Sequence, residues 1–151
     1  MVVWRLTLKK HVAPDGEGAR RYGGRWNKPG TRVVYTSGTL SLAALEYLVH
    51  VDSDILPDSL VSVKATIPET LAIETINPSD LPGNWKDKIM PVTLQELGTA
   101  WANGATTPIL KVPSVVIEHE FNYVLSPLHP DFPQITWDTY IAFSFDPRLL
   151  S

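Results

Sequence analysis

Apolar and polar residues alternate in short runs spread along this chain, and that alternation limits the fold more than any other feature. Val2, Trp4, Leu6 and Leu8 alternate with Val3, Arg5, Thr7 and Lys9. Val61, Val63, Ala65 and Ile67 alternate with Ser62, Lys64 and Thr66, and Ile141, Phe143 and Phe145 repeat the pattern near the end. Period two marks a strand with one buried face. The spacing predicts further strands at 32–36, 71–76, 109–117 (interrupted by Pro113) and 121–125. Helical spacing occurs in fewer places. One helix is predicted over 41–51, with Thr39 or Ser41 as its N-cap. A second follows Thr93, where Thr93 and Glu96 have the spacing of a capping box, Leu94, Leu97 and Trp101 mark one apolar face, and Gly104 gives a stop. The expected class is therefore α+β, with a mixed β core of six or seven strands and two or three main helices.

The chain has 151 residues, enough for one domain spanning 1–151, and no repeat or linker divides it. With 44% apolar and 19% charged residues it has the composition of a packed globule. No apolar run approaches the ~18 residues a membrane span requires, and residues 1–5 do not open a signal peptide. A soluble cytoplasmic protein is the expectation. The absence of cysteine excludes disulfides, thiolate-bound zinc, iron–sulfur clusters and thiol nucleophiles. His11, His50, His119 and His129 have no metal-ligand spacing, so no metal is expected. A Gly-x-Ser-x-Gly nucleophile turn is also absent.

The net charge of −3 conceals an uneven distribution. Residues 1–35 carry Arg5, Lys9, Lys10, Arg20, Arg21, Arg25, Lys28 and Arg32 against only Asp15 and Glu17. That asymmetry suits an anionic ligand near the first segment, or a solvated surface. The overall acidity does not suit a nucleic-acid binder. Residues 13–31 hold five glycines and two prolines, which predicts a long irregular loop, and loops of that length in compact domains tend to be functional or disordered. Within it, Gly23-Gly24-Arg25-Trp26-Asn27 combines glycines that allow close backbone approach, an arginine fork for phosphate oxygens and a Trp face for stacking. It is neither a Walker loop nor a dinucleotide fingerprint, and an ordinary glycine turn accounts for it equally well.

Glu46 is the main anomaly. At 100° per residue it falls in the stripe of Leu42, Leu45 and Val49. A carboxylate facing a core is costly unless it is paired or lines a cavity, which leaves either a structural ion pair or a functional acid. Arg25, Tyr35 and Glu46 lie on a loop, a strand and the next helix at intervals of ten or eleven residues, an arrangement able to converge on one pocket.

Taken together, these segments resemble the RES-domain family, the toxin half of RES–Xre toxin–antitoxin pairs. The resemblance runs through Trp4-Arg5-Leu6, Gly23-Gly24-Arg25-Trp26-Asn27, Val33-Val34-Tyr35-Thr36-Ser37 and Ser41-Leu42-Ala43-Ala44-Leu45-Glu46. It continues through Val112-Pro113-Ser114, Glu120-Phe121-Asn122, His129-Pro130-Asp131-Phe132 and Phe145-Asp146-Pro147-Arg148. The arginine, glutamate and serine that name the family fall on Arg25, Glu46 and Ser114. The resemblance implies an ADP-ribosyltransferase-like fold and destruction of cellular NAD, by hydrolysis or with inorganic phosphate as co-substrate; transfer of ADP-ribose to a protein is the alternative. It implies Arg25, Tyr35 and Glu46 as catalytic residues, with Ser114, Trp26, Asn122 and Arg5 binding substrate. It further implies an Xre-type antitoxin as partner, a homodimer within the toxin–antitoxin complex, and no membrane or direct nucleic-acid partner.

Overall fold

The computed structural model describes residues 1–51 and 56–150. Among these residues eight strands form a single sheet: β1 (Val2–Leu8), β2 (Val34–Ser37), β3 (Leu60–Thr66), β4 (Ile73–Thr75), β5 (Ile109–Pro113), β6 (Phe121–Leu125), β7 (Thr136–Trp137) and β8 (Ile141–Ala142). Their order is β4-β5-β6-β2-β1-β3-β7, with β8 also on β3. Every pairing is antiparallel except β4 with β5. The β1–β3 ladder runs unbroken from Val2 opposite Thr66 to Leu8 opposite Leu60. A slip of one residue there would exchange the buried and outward faces of both strands, so the alternation fixes the register.

The middle of the sheet is buried on both sides, because successive residues point to opposite faces. Val3, Val34, Ala65, Ile67, Ile109 and Leu125 pack into one core, covered by Ile135 and Phe132. Trp26, Trp85, Leu94, Trp101, Leu110 and Val124 pack into the other. Each large side chain fully removed from water contributes roughly 1.5–3 kcal/mol.

Among the described residues three α-helices accompany the sheet: α1 (Glu17–Tyr22), α2 (Leu40–Leu48) and α3 (Val92–Gly104). The first lies in the segment expected to be irregular. Gly16, at φ 74°, provides its left-handed entry. Arg20 Nε donates to Glu17 Oε2 at 2.8 Å, Arg21 Nε donates to Oε1 at 3.0 Å, and Arg32 pairs with Oε2 at 2.9 Å. Those pairs hold a helix too short to persist by itself.

Thr39 caps α2 as expected, its Oγ1 accepting from the Leu42 N–H at 3.1 Å. The helix stops at Leu48, and Val49 is 59% exposed, so the buried face is Leu42 and Ala43 rather than a full stripe. The expected capping box at Thr93 does not form. Helix α3 starts two residues earlier than that cap implies, at Val92, behind Pro91 at φ −62°, with no side-chain cap. Glu96 reaches instead toward Lys28 Nζ, 3.5 Å away. Leu97 is 40% exposed; Gly98 takes its place in the buried stripe with Leu94 and Trp101. The last expected strand is shorter than its pattern: β8 ends at Ala142, although the Phe143 N–H still bonds to the Leu60 carbonyl at 2.9 Å. No helix among the described residues is long and apolar enough to cross a membrane.

Candidate active site

A cleft of about 460 Å³ opens beside β1, β2 and the C-terminal half of α2. Its walls come from distant parts of the sequence: Arg5 on β1, Gly24 and Arg25 in the loop, Tyr35 and Ser37 on β2, Glu46, Tyr47 and His50 in and after α2, and Asn122 on β6. The geometry therefore brings Arg25, Tyr35 and Glu46 to one place, as their spacing suggested.

The loop that carries Arg25 is a tight reversal. Gly24 and Asn27 exchange main-chain hydrogen bonds, at 3.0 and 3.5 Å, leaving Arg25 and Trp26 at the tip. Gly23 sits at φ 70°, where a side chain would be strained. Gly24 has a different constraint, since a Cβ there would lie 2.6 Å from the Tyr35 hydroxyl. Gln95 Nε2, from α3, donates to the Gly24 carbonyl at 3.0 Å and ties the reversal to the body of the protein.

Asn27 is the hub beneath this loop. Fully buried, it donates from Nδ2 to the carbonyls of Ala19 (2.9 Å), Thr31 (3.1 Å) and Lys28 (3.2 Å). Its Oδ1 accepts from the Tyr35 hydroxyl at 2.7 Å, and that hydroxyl accepts from the Trp26 N–H at 3.0 Å. Burial pushes the Tyr35 phenol above its ordinary pKa, against the opposing pull of the Trp26 N–H and the Arg25 charge. The hydroxyl thus stays protonated and engaged, and Tyr35 offers the cleft its ring rather than an acid or base.

Arg25 is aimed by main-chain carbonyls. Nη1 donates to Trp85 O at 3.1 Å and to Asp87 O at 3.3 Å, and Nη2 to Asp87 O at 3.4 Å. Nε makes no protein hydrogen bond among the described residues. Partial burial lowers the guanidinium pKa, while the nearby negative charge of Glu46 works in the opposite direction. The group remains a cation at neutral pH. Arg25 and Glu46 feel each other's charge without forming a direct ion pair among the described residues, which keeps an anion site and a carboxylate distinct within one cleft.

Glu46 is held from two sides. Ser114 Oγ donates to its Oε1 at 2.7 Å and Asn122 Nδ2 donates to the same oxygen at 2.6 Å. The Oε2 atom takes no protein hydrogen bond among the described residues. Ser114 Oγ itself accepts from the N–H groups of Val116 and Ile117, both at 3.1 Å, so its proton is directed to the carboxylate. A carboxyl group presented this way is oriented through one oxygen and leaves the other open to the cleft.

Three expectations about substrate contact change. Ser114 is only 2% exposed, is not among the residues lining the cleft, and donates to Glu46, so its hydroxyl orients the acid. Trp26 lines the cleft but is only 3% exposed and packs in the core with Trp85 and Trp101, so little of it is open for stacking. Asn122 lines the cleft but spends its amide on Glu46. Arg5 keeps its expected place: it lines the cleft, donates from Nη1 to Val12 O at 3.0 Å, and has its pKa lowered by burial. Sequence reasoning missed Asn27 and Ser37. An Asn after glycines reads as a turn residue, and a Ser ending a strand carries no signal until its neighbour across the ladder is known.

Fold and site define a class: an α+β domain whose curled sheet carries a cleft with a loop arginine facing a helix glutamate. The RES domain model matches residues 2–146, and the chain belongs to the RES-domain family. It is 35% identical to a protein named Toxin Res from Yersinia enterocolitica, over 99% of this chain and 99% of that protein. It is 33% identical to a protein named Prs ADP-ribosylating toxin from a Sphingobium strain, over 97% and 95%. A chain in the crystal structure of the Mycobacterium tuberculosis MbcT–MbcA toxin–antitoxin complex shares the fold, with a TM-score of 0.74 at 20% identity over 99% of this chain and 86% of that one.

Proposed function

We propose that this RES-domain protein is the toxin of a toxin–antitoxin pair and arrests growth by cleaving the nicotinamide–ribose bond of NAD. The observation that carries the reading is the pairing of Arg25 and an oriented Glu46 across one cleft, without a direct ion pair between them. Departure of neutral nicotinamide leaves positive charge on the ribose. An enzyme gains rate by stabilising that state more than the ground state. Glu46, fixed through Oε1, offers Oε2 to the ribosyl cation or to a ribose hydroxyl. Arg25 offers its positive charge and its uncommitted Nε–H to the pyrophosphate, a charge-assisted bond contributing roughly 1.5–3 kcal/mol. The Tyr35 ring packs against the nicotinamide end. Water as acceptor yields ADP-ribose, nicotinamide and a proton; inorganic phosphate yields nicotinamide and ADP-ribose phosphorylated at the anomeric carbon that nicotinamide leaves.

An Xre-type antitoxin that covers the cleft and a toxin homodimer within the complex belong to the same proposal. A protein acceptor for ADP-ribose is the second reading, favoured by the name of the Sphingobium relative. The deciding experiment incubates pure protein with labelled NAD, with and without phosphate, and identifies products by mass. Free nicotinamide with small-molecule products supports degradation, and label in a protein band supports transfer. Glu46→Gln, at nearly constant volume, is expected to lower the rate by at least about 100-fold with the fold retained. Turnover by that variant at the wild-type rate would remove Glu46 from the mechanism.

A further inference from the structure

We propose that Ser37 is a positioning residue for Glu46, acting through Asn122; the catalytic part of this claim rests on the NAD-cleaving reading above. Ser37 and Asn122 are directly opposite on the β2–β6 ladder, so their side chains share a face at a spacing set by the sheet. Ser37 is 4% exposed, and its Oγ donates to Asn122 Oδ1 at 2.6 Å. The other end of the same amide donates from Nδ2 to Glu46 Oε1, also at 2.6 Å.

The terminal torsion of an Asn is broad, so one hydrogen bond leaves its amide plane free to swing. Two bonds, one at each end, fix it. A reversed amide would set Oδ1 against the carboxylate, oxygen to oxygen, and a rotated one would leave Glu46 with Ser114 alone. Ser37 therefore turns Asn122 from a mobile polar side chain into a directed donor, and the buried chain of bonds polarises the amide toward the carboxylate. Although Ser37 also lines the cleft, no hydrogen bond joins it to Glu46 among the described residues; the link runs through Asn122. Its neighbour Thr36 is used differently, donating to the Tyr123 carbonyl at 2.7 Å.

The test combines kinetics of NAD cleavage with NMR of the Asn122 side-chain amide. Ser37→Ala is expected to reduce kcat about 10-fold or more while leaving KM within about 2-fold, as for a group that shapes the transition state and not ground-state binding. Ser37→Thr, which keeps the hydroxyl, should bring kcat back to within about 3-fold of the wild type. Added to Asn122→Ala, the Ser37→Ala change should cost nothing further, because a residue acting through a partner has no effect once the partner is gone. Independent losses that multiply in the double variant would overturn the proposal, as would an unchanged kcat in Ser37→Ala. If Ser37→Ala does not fold, Ser37→Cys, nearly isosteric but a weak donor, takes its place with the same expectation. The NMR arm does not need turnover: the Asn122 amide protons should move in both Ser37→Ala and Glu46→Gln. A wild-type protein that leaves NAD intact would defeat the functional reading alone, whereas an Asn122 amide indifferent to Ser37→Ala would defeat this one.

Discussion

Glu46 and Tyr35 reach the same cleft by opposite routes. The glutamate stood out in the sequence because a charge at a helical apolar position demands a partner. Its partners, Ser114 and Asn122, lie 68 and 76 residues away, and no local pattern could supply them. The tyrosine is marked in the sequence only by its spacing from Arg25 and Glu46 and by the family resemblance; its hydroxyl, set between Asn27 and the Trp26 N–H, makes it the prop of the Arg25 loop, which no pattern shows. Tyr35→Phe is expected to cost about 1–3 kcal/mol at neutral pH, because it leaves Asn27 Oδ1 and the Trp26 N–H without their partner. Burial raises the folded-state pKa of this phenol above its unfolded value. Its contribution is therefore complete below the unfolded value near ~10 and declines as pH rises from there toward the higher folded one. Denaturant titrations at pH 7 and pH 11 should show the gap between wild type and Tyr35→Phe narrowing at the higher pH; a gap that widens would contradict the buried, protonated hydroxyl.

Helix α3 shows what an element's pattern conceals. Its apolar spacing was legible, yet the stripe that packs is Leu94, Gly98 and Trp101, displaced from Leu97. A glycine has no hydropathy signal, so a position buried by main-chain contact reads as a gap. A Cβ on Gly98 would fall 1.7 Å from the Trp26 carbonyl oxygen, inside the backbone of the loop that carries Arg25. The helix must shift or the loop must open. Gly98→Ala is accordingly expected to cost more than about 3 kcal/mol, beyond an ordinary surface change, and to abolish activity with it. Gly104 ends the same helix with nothing within 4 Å of its notional Cβ and no positive φ. Gly104→Ala should be neutral or stabilising by about 0.4–1 kcal/mol, through the entropy of the unfolded chain. Chemical denaturation of the two variants side by side separates close approach at Gly98 from simple helix propensity, which predicts gains at both. The capping box at Thr93 failed for a related reason: Pro91 already sets the entry angle, and sequence spacing alone could not rank the two signals.

Across the whole molecule, the basic first segment divides into two roles that composition had merged. Arg20, Arg21 and Arg32 gather around Glu17, whose pKa falls to about 2 chiefly through its hydrogen bonds to Arg20 and Arg21, and they build α1. Arg5 and Arg25 line the cleft. Which arginine does which depends on the closure of the sheet, since the cleft draws residues from β1, β2, α2 and β6 that meet only in the finished fold. A ligand seated there touches elements contributed by most of the chain and should stabilise them as one unit. On the proposed reading the variant Glu46→Gln turns NAD over too slowly to consume it during the measurement, and so provides the test with the intact dinucleotide. At a concentration of about 100 times its dissociation constant, NAD should add about 2.7 kcal/mol to the folded state. For a domain of this size that corresponds to a Tm rise of roughly 5–10 °C. Adding Arg25→Ala to the same variant should remove most of the rise, because the pyrophosphate loses its cation while the apolar walls remain. An undiminished rise in the double variant would place the dinucleotide somewhere other than between Arg25 and Glu46. ADP-ribose, which keeps the pyrophosphate and lacks the nicotinamide, should retain much of the effect and so show how much of the binding Arg25 carries.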